Sequence, residues 1–242
     1  MRFHAHRFEF KYLIDKRFKD DLLNDFLNYM DFDIPNGSGR EYYQVLNLYL
    51  DSPDLRFYRE KIDGLLFRRK LRFRFYNVHP KENSCVFMEI KRKNNMTFIK
   101  DRLKLGYQDA LNIVKRNFNN IFPLLEQYEL QQRELLSEFV FEVLRNRLSS
   151  KLWVSYQRTA LKGKSIPRLR LTFDDNIIAA RAGNGFDFRT DSSTRRLFRN
   201  KTVVEVKYNG TLPYWLHHFI QKYQLFREPI SKYCCAVENI LI

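Results

Sequence analysis

In the stretch LFRRKLRFRFYN, Leu66 to Asn77, five basic residues occupy twelve positions, yet the alternation is that of a β-strand. Strand side chains point to opposite faces in turn, so Arg68, Lys70, Arg72 and Arg74 share one face and Leu71, Phe73 and Phe75 the other. Taken singly, such a strand fits the solvated face of an antiparallel sheet. The pattern recurs, however. Arg7, Glu9 and Lys11 alternate with Phe8, Phe10 and Tyr12, and Glu89, Lys91 and Lys93 with Met88 and Ile90. Lys100, Arg102 and Lys104 alternate with Ile99, Leu103 and Leu105, Arg168 and Arg170 with Leu169, Leu171 and Phe173, and Glu205 and Lys207 with Val204, Val206 and Tyr208. Six segments obey one rule.

β-rich runs cover Phe3 to Tyr12, Tyr43 to Asp51, Leu65 to Asn77, Ser84 to Lys93, Thr97 to Leu105, Lys151 to Leu161, Pro167 to Phe173 and Lys201 to Tyr208. Weaker ones lie at Ile177 to Ala182 and Ile230 to Glu238. Helical spacing joins Phe18, Leu22, Leu23, Phe26, Leu27 and Met30 after a candidate cap at Asp15. It returns within Tyr107 to Leu148, and after Pro213 in Trp215, Leu216, Phe219, Ile220 and Tyr223. No Gly/Ser/Pro-rich linker or repeat divides the 242 residues, so the reading is one domain, 1–242. The fold class expected is α+β: an antiparallel barrel of about eight strands with helices packed outside.

Helices need apolar surface to pack on, and the strands offer it opposite their charges. In a closed barrel the charged faces then line the lumen. Neighbouring cations repel by about 1 to 4 kcal/mol per pair, and the chain as a whole carries +15. Such a lumen calls for a polyanion. Arg offers phosphate a bidentate fork and Lys a point charge. Three glutamates stand in phase, each two residues before a lysine: Glu9, Glu89 and Glu205. Beside simple ion pairing, they fit a divalent metal site for Mg²⁺ or Mn²⁺ shared with phosphate oxygens. The chemistry is then phosphoryl transfer or triphosphate cleavage, where positioning and charge neutralisation dominate.

Eight motifs in order, RFEFKY, LYLDSPDLRFY, KLRFRFY, FMEIKRK, VSYQRTAL, RLRLTFDDNI, VVEVKY and SKYC, make the chain resemble the polyphosphate-polymerase domain of the vacuolar transporter chaperone (VTC) proteins. That family is a branch of the CYTH, or triphosphate tunnel metalloenzyme, superfamily. The resemblance implies a basic tunnel that passes the terminal phosphoryl group of ATP to polyphosphate, with Mn²⁺ preferred. It implies catalytic phosphate ligands at Lys11, Arg72, Arg74, Lys91, Arg158, Arg170 and Lys232. It also implies a metal-binding glutamate at Glu205, with Glu9 and Glu89 as weaker matches. Lys93, Lys100, Arg102, Arg168 and Lys207, basic residues of the same runs, are further expected substrate contacts. The superfamily opens with ExExK, and here Arg7-x-Glu9-x-Lys11 fits the VTC branch better. Eukaryotic members add an SPX domain and membrane helices that these residues do not contain, so a membrane partner would be a separate chain.

Two alternatives stand beside the polymerase: a tunnel triphosphatase, and an RNA- or polyanion-binding module. RNA-binding sheets expose aromatics beside their cations, whereas here the aromatics lie in the phase opposite the cations, so no nucleic-acid partner is expected. No apolar run is long enough for a membrane helix, and nothing at the start reads as a secretory signal. The cysteines, Cys85, Cys234 and Cys235, form no metal spacing and suit a reducing cytoplasm. Cys234 and Cys235 read as alternate faces of a terminal strand. His4, His6, His79, His217 and His218 read as surface histidines, Trp153 and Trp215 as packing residues, and Asp174 as an anchor for an arginine.

Overall fold

The computed structural model describes residues 7–34, 41–95 and 97–242. His4, His6 and the expected start of the first strand at Phe3 lie outside them. In chain order the elements are β1 (Arg7–Asp15), α1 (Lys19–Leu27), β2 (Met30–Phe32), β3 (Tyr43–Asp51), α2 (Arg56–Ile62), β4 (Phe67–Phe75), β5 (Val86–Asn94) and β6 (Thr97–Leu105). Then follow α3 (Tyr107–Val114), α4 (Ile121–Glu126), α5 (Leu130–Arg145), β7 (Ser149–Gly163), β8 (Arg170–Arg181), β9 (Arg195–Arg196), β10 (Lys201–Asn209), α6 (Tyr214–Lys222) and α7 (Lys232–Ile240).

The strands hydrogen-bond in the order β1-β10-β8-β7-β3-β4-β5-β6, with β2 added to β7 and β9 to β8. The α+β class with a large antiparallel sheet is therefore as the alternation predicts. The order has two ends, β1 and β6, instead of a hydrogen-bonded closure. The free edge of β1 is covered by its own chain: Tyr12 bridges to Arg227, and Glu228 N donates to Lys11 O at 2.9 Å. At the other end Lys100 and Lys104 stand exposed on β6, charges of the kind that guard a free edge against pairing.

The chain divides into two compact units. The first comprises Met1–Gln44, Tyr156–Ile177 and Arg196–Ser231. Its core gathers Tyr12, Ile14, Phe26, Leu171, Phe173, Val204, Val206 and Phe219 from the apolar phases of β1, β8 and β10 and from α1 and α6. Asp15 caps the short turn ahead of α1, accepting from Arg17 N at 3.2 Å. Trp215 stacks on Tyr29 with ring centroids 4.6 Å apart.

The second unit comprises Val45–Ser155, Ile178–Arg195 and Lys232–Ile242. Leu71, Phe73 and Phe75 of β4 meet Phe139 and Val143 of α5 in its core, with Trp153 fully buried. Arg69 and Arg92 are the cations that fall in the helix-facing phase, and both are claimed by α5: Arg69 by Glu142, Arg92 by Glu138 and also by Asp101. The basic excess of LFRRKLRFRFYN thus serves two faces.

Several elements differ from the sequence reading: Met30, spaced as the end of the first helix, instead opens β2, because α1 stops at Leu27. Cys234 and Cys235 sit on α7 and not on a strand, because Tyr233, Cys234, Ala236 and Val237 bury one helical face. α2 escapes periodicity altogether, since Phe57 is its one buried residue. It is held by Asp51, which accepts from Phe57 N (2.9 Å), Tyr58 N (3.1 Å) and Tyr233 OH (2.5 Å).

Candidate phosphate-binding faces

The charged phase of β4, β5 and β6 in the second unit is organised around one carboxylate. Register sets Arg72 opposite Glu89 and Glu89 opposite Arg102. Glu89 is 0% exposed. Its Oε2 accepts from Arg72 Nε at 2.8 Å and Nη2 at 2.6 Å. Its Oε1 accepts from Arg102 Nε at 2.7 Å and from Lys100 Nζ at 3.4 Å, with Arg74 Nη1 3.7 Å away. Burial alone would raise the Glu89 carboxyl; Arg72, Arg74, Lys100 and Arg102 reverse this and hold it well below the usual carboxylate range. Four cations share one anion, so the cluster keeps an excess of positive charge.

A second layer fixes the arginines. Arg72 Nη1 donates to Tyr49 OH at 3.0 Å, Arg74 Nε to Asn47 Oδ1 at 2.9 Å, and Arg102 Nη2 to Tyr76 OH at 2.8 Å. Sequence reasoning missed these partners, although Asn47 and Tyr49 alternate with Leu46, Leu48 and Leu50 and so betray a polar face. Lys100, whose side chain keeps 42% of its exposure, is pushed down to about 7, by desolvation against the charged face first and then by Arg102, Arg74 and Arg72, against the opposing pull of Glu89. Lys91 lies opposite Lys100 in register, and the ammonium groups of Lys91 and Lys93 stand 4.9 and 5.8 Å from the Phe98 ring centroid. Arg102 stands over Phe87 at 4.5 Å. Phe87, Phe98 and Tyr49 thus lie in the cation phase, which corrects the expectation that aromatics keep to the other. Lys232 opens α7, while Cys234 of that helix lies 3.5 Å from Lys70.

In the first unit the charged phase of β1, β10, β8 and β7 carries carboxylates between cations. Register sets Lys11 opposite Glu205 and Glu9 opposite Lys207. Lys207 Nζ is 2.6 Å from Glu205 Oε1 and 3.9 Å from Glu9 Oε2. Lys11 Nζ is 3.3 Å from Glu9 Oε1 and donates to Ile230 O. Arg158 is buried and grips Asp174 through two bonds of 2.6 and 2.7 Å, with Glu205 3.9 Å away. Burial opposes the Arg158 charge, yet Asp174 chiefly, with Tyr156 and Glu205, holds it firmly protonated. Arg170 donates to Asp33 at 2.7 Å and Tyr43 at 3.2 Å. Arg168 does not join this face: β8 begins at Arg170, and Arg168 is exposed in the preceding turn because Leu169 alone turns inward there.

Glu9 and Glu205, hard oxygen donors that both approach Lys207, are the carboxylates that would hold a divalent cation. Among the described residues no group of three or more His, Cys, Asp or Glu is placed to hold a metal, so phosphate oxygens would complete the shell, the habit of Mg²⁺ and Mn²⁺. Glu89 does not fit, because it is wholly buried and both of its oxygens accept from arginine at 2.6 to 2.8 Å. His79, His217 and His218 are exposed, and the cysteines form no disulfide.

A family model described as the VTC domain matches residues 6–241. Among curated proteins no sequence matches the chain. The fold is similar to that of a proposed adenylate cyclase from Bacillus halodurans, at 14% identity over 94% of each chain and a TM-score of 0.51. A protein from Pyrococcus horikoshii covers 96% of this chain and 99% of its own at 12% identity and a TM-score of 0.48. A proposed adenylyl cyclase from Hippeastrum, described as having a dominant triphosphatase activity, covers 98% and 97% at 14% identity and a TM-score of 0.49.

Proposed function

Because the chain belongs to the VTC-domain family, we propose that it is a metal-dependent polyphosphate polymerase that transfers the γ-phosphoryl group of ATP to a growing polyphosphate chain. The observation that carries this reading is the convergence of Arg72, Arg74, Lys100 and Arg102 on a single buried carboxylate. Cationic donors held at such density, by acceptors fixed before any ligand arrives, suit linked phosphates better than an isolated anion. Arg72, Arg74, Arg102, Lys100, Lys91 and Lys93 orient phosphate oxygens. Lys11, Arg158, Arg170 and Lys207 do so in the first unit, and Lys232 completes the set that the family pattern assigns.

In the transfer, a terminal oxyanion of polyphosphate attacks the γ-phosphorus. One P–O bond forms as the bond to the β,γ-bridging oxygen breaks, and ADP leaves with that oxygen. The attacking oxygen is already deprotonated near neutral pH, so no side chain need act as general base, and arginine and lysine offset the charge on the equatorial oxygens. A divalent cation held by Glu205 and Glu9 would supply further charge neutralisation at the phosphates. The reading places this work in the cytoplasm, in keeping with three free cysteines; among the described residues no helix is long and apolar enough to cross a membrane.

Incubation of the purified protein with ATP and Mn²⁺, with products resolved by gel electrophoresis and phosphate assay, tests the proposal. Acid-labile polyphosphate chains are expected. Stoichiometric free phosphate without chains would make water the acceptor and the protein a triphosphatase.

A further inference from the structure

Glu89 shares the E-x-K pattern of Glu9 and Glu205, but its surroundings are different. It is enclosed by four cationic side chains, and each arginine of that set has a second anchor of its own in Tyr49, Asn47 or Tyr76. A carboxylate used by a metal keeps at least one oxygen for it. Here Oε2 holds the Nε and Nη2 edge of Arg72, and Oε1 holds the Nε of Arg102 with Lys100 beside it. We propose that Glu89 is a positioning residue, an internal counter-anion that sets the guanidinium groups of Arg72, Arg74 and Arg102 for linked phosphates, and that it is no part of the metal site. This rests on the reading of that face as a phosphate-binding one.

The charge balance gives the role a signature. Glu89 repels an incoming polyanion and at the same time holds the arginines in register for it, so it weakens ground-state binding while serving the reacting geometry. In Glu89→Gln, one full negative charge is lost and the arginines lose their shared anchor. Tripolyphosphate binding should then be as tight as in the wild type or tighter, while turnover of ATP falls by about tenfold or more. Loss of folded protein would instead lower both together.

The experiment measures Mn²⁺ binding from the free-ion electron paramagnetic resonance signal, tripolyphosphate binding by calorimetry, and kcat and KM for ATP, in wild type, Glu89→Gln and Glu205→Gln. The expected result is Mn²⁺ affinity in Glu89→Gln within about twofold of wild type, against a loss of about tenfold or more in Glu205→Gln. Should Glu89→Gln prove unstable, Glu89→Asp keeps the charge but is too short to hold Arg72 and Arg102 at once, and predicts the same fall in kcat at unchanged Mn²⁺ affinity. A loss of Mn²⁺ affinity in the Glu89 variants matching that of Glu205→Gln would overturn the proposal, as would unchanged turnover in both. Failure of the polymerase reading would show separately, as products without chains, and leaves the Mn²⁺ comparison intact.

Discussion

At the scale of single residues, the structure separates charges that look alike in the sequence. Arg158 and Arg72 both lie on charged strand faces and each grips a buried carboxylate, Asp174 and Glu89, but Arg158 is itself buried whereas Arg72 stays partly exposed. Removing one partner leaves the other charge buried and uncompensated, so Arg158→Ala should lower unfolding stability in urea by about 3 to 5 kcal/mol. A loss below about 1 kcal/mol would place the pair in the class of exposed bridges. Lys100 gives a prediction with a sign. Its folded value of about 7 lies below the roughly 10.4 of an unfolded lysine, so between those values the unfolded chain binds a proton that the folded chain lacks. Stability linked to this group therefore rises as pH increases across that window. The advantage of wild type over Lys100→Met in thermal midpoint should grow from about pH 7 to about pH 9.5, and a difference independent of pH would refute the assignment.

At the scale of elements, capping outweighs periodicity in one place. α2 has one buried residue, and its first turn hangs on the Asp51 carboxylate. Asp51→Ala strands three backbone donors, of Ser52, Phe57 and Tyr58, and the Tyr233 hydroxyl, and should cost about 3 kcal/mol in denaturant unfolding. α2 was not legible in advance because its cap comes from the end of β3 and its support from α7. The eight principal strands were legible, because alternation is a local property and each strand buries one face. α7 is not legible as a helix: the short run KYCCAVENI is ambiguous between strand and helix, and only packing shows that Tyr233, Cys234, Ala236 and Val237 form one helical face. The candidate site was legible to the same depth. Phase tells which cations share a face, and it marks Asp174 as an arginine anchor, the role it plays for Arg158. Phase could not tell that Glu89 is saturated by cations while Glu9 and Glu205 share a lysine, because the reach of side chains across strands is set by register and twist. Nor could it place Arg168, whose strand starts two residues later than the alternation suggests.

For the whole molecule, the governing quantity is the charge of +15 on 242 residues. Self-repulsion of that order is relieved by whatever anion the fold accepts, and a ligand that binds only the folded state raises its stability. The central claim is that the Glu89 cluster receives linked phosphates through guanidinium groups already in place. Calorimetric titration of tripolyphosphate into wild type and Arg72→Gln tests it most directly. A lost charge-assisted contact is worth about 1.5 to 3 kcal/mol, so the variant should bind about 10- to 150-fold more weakly. Equal affinity in the two proteins, at the same ionic strength and with both folded, would contradict the account.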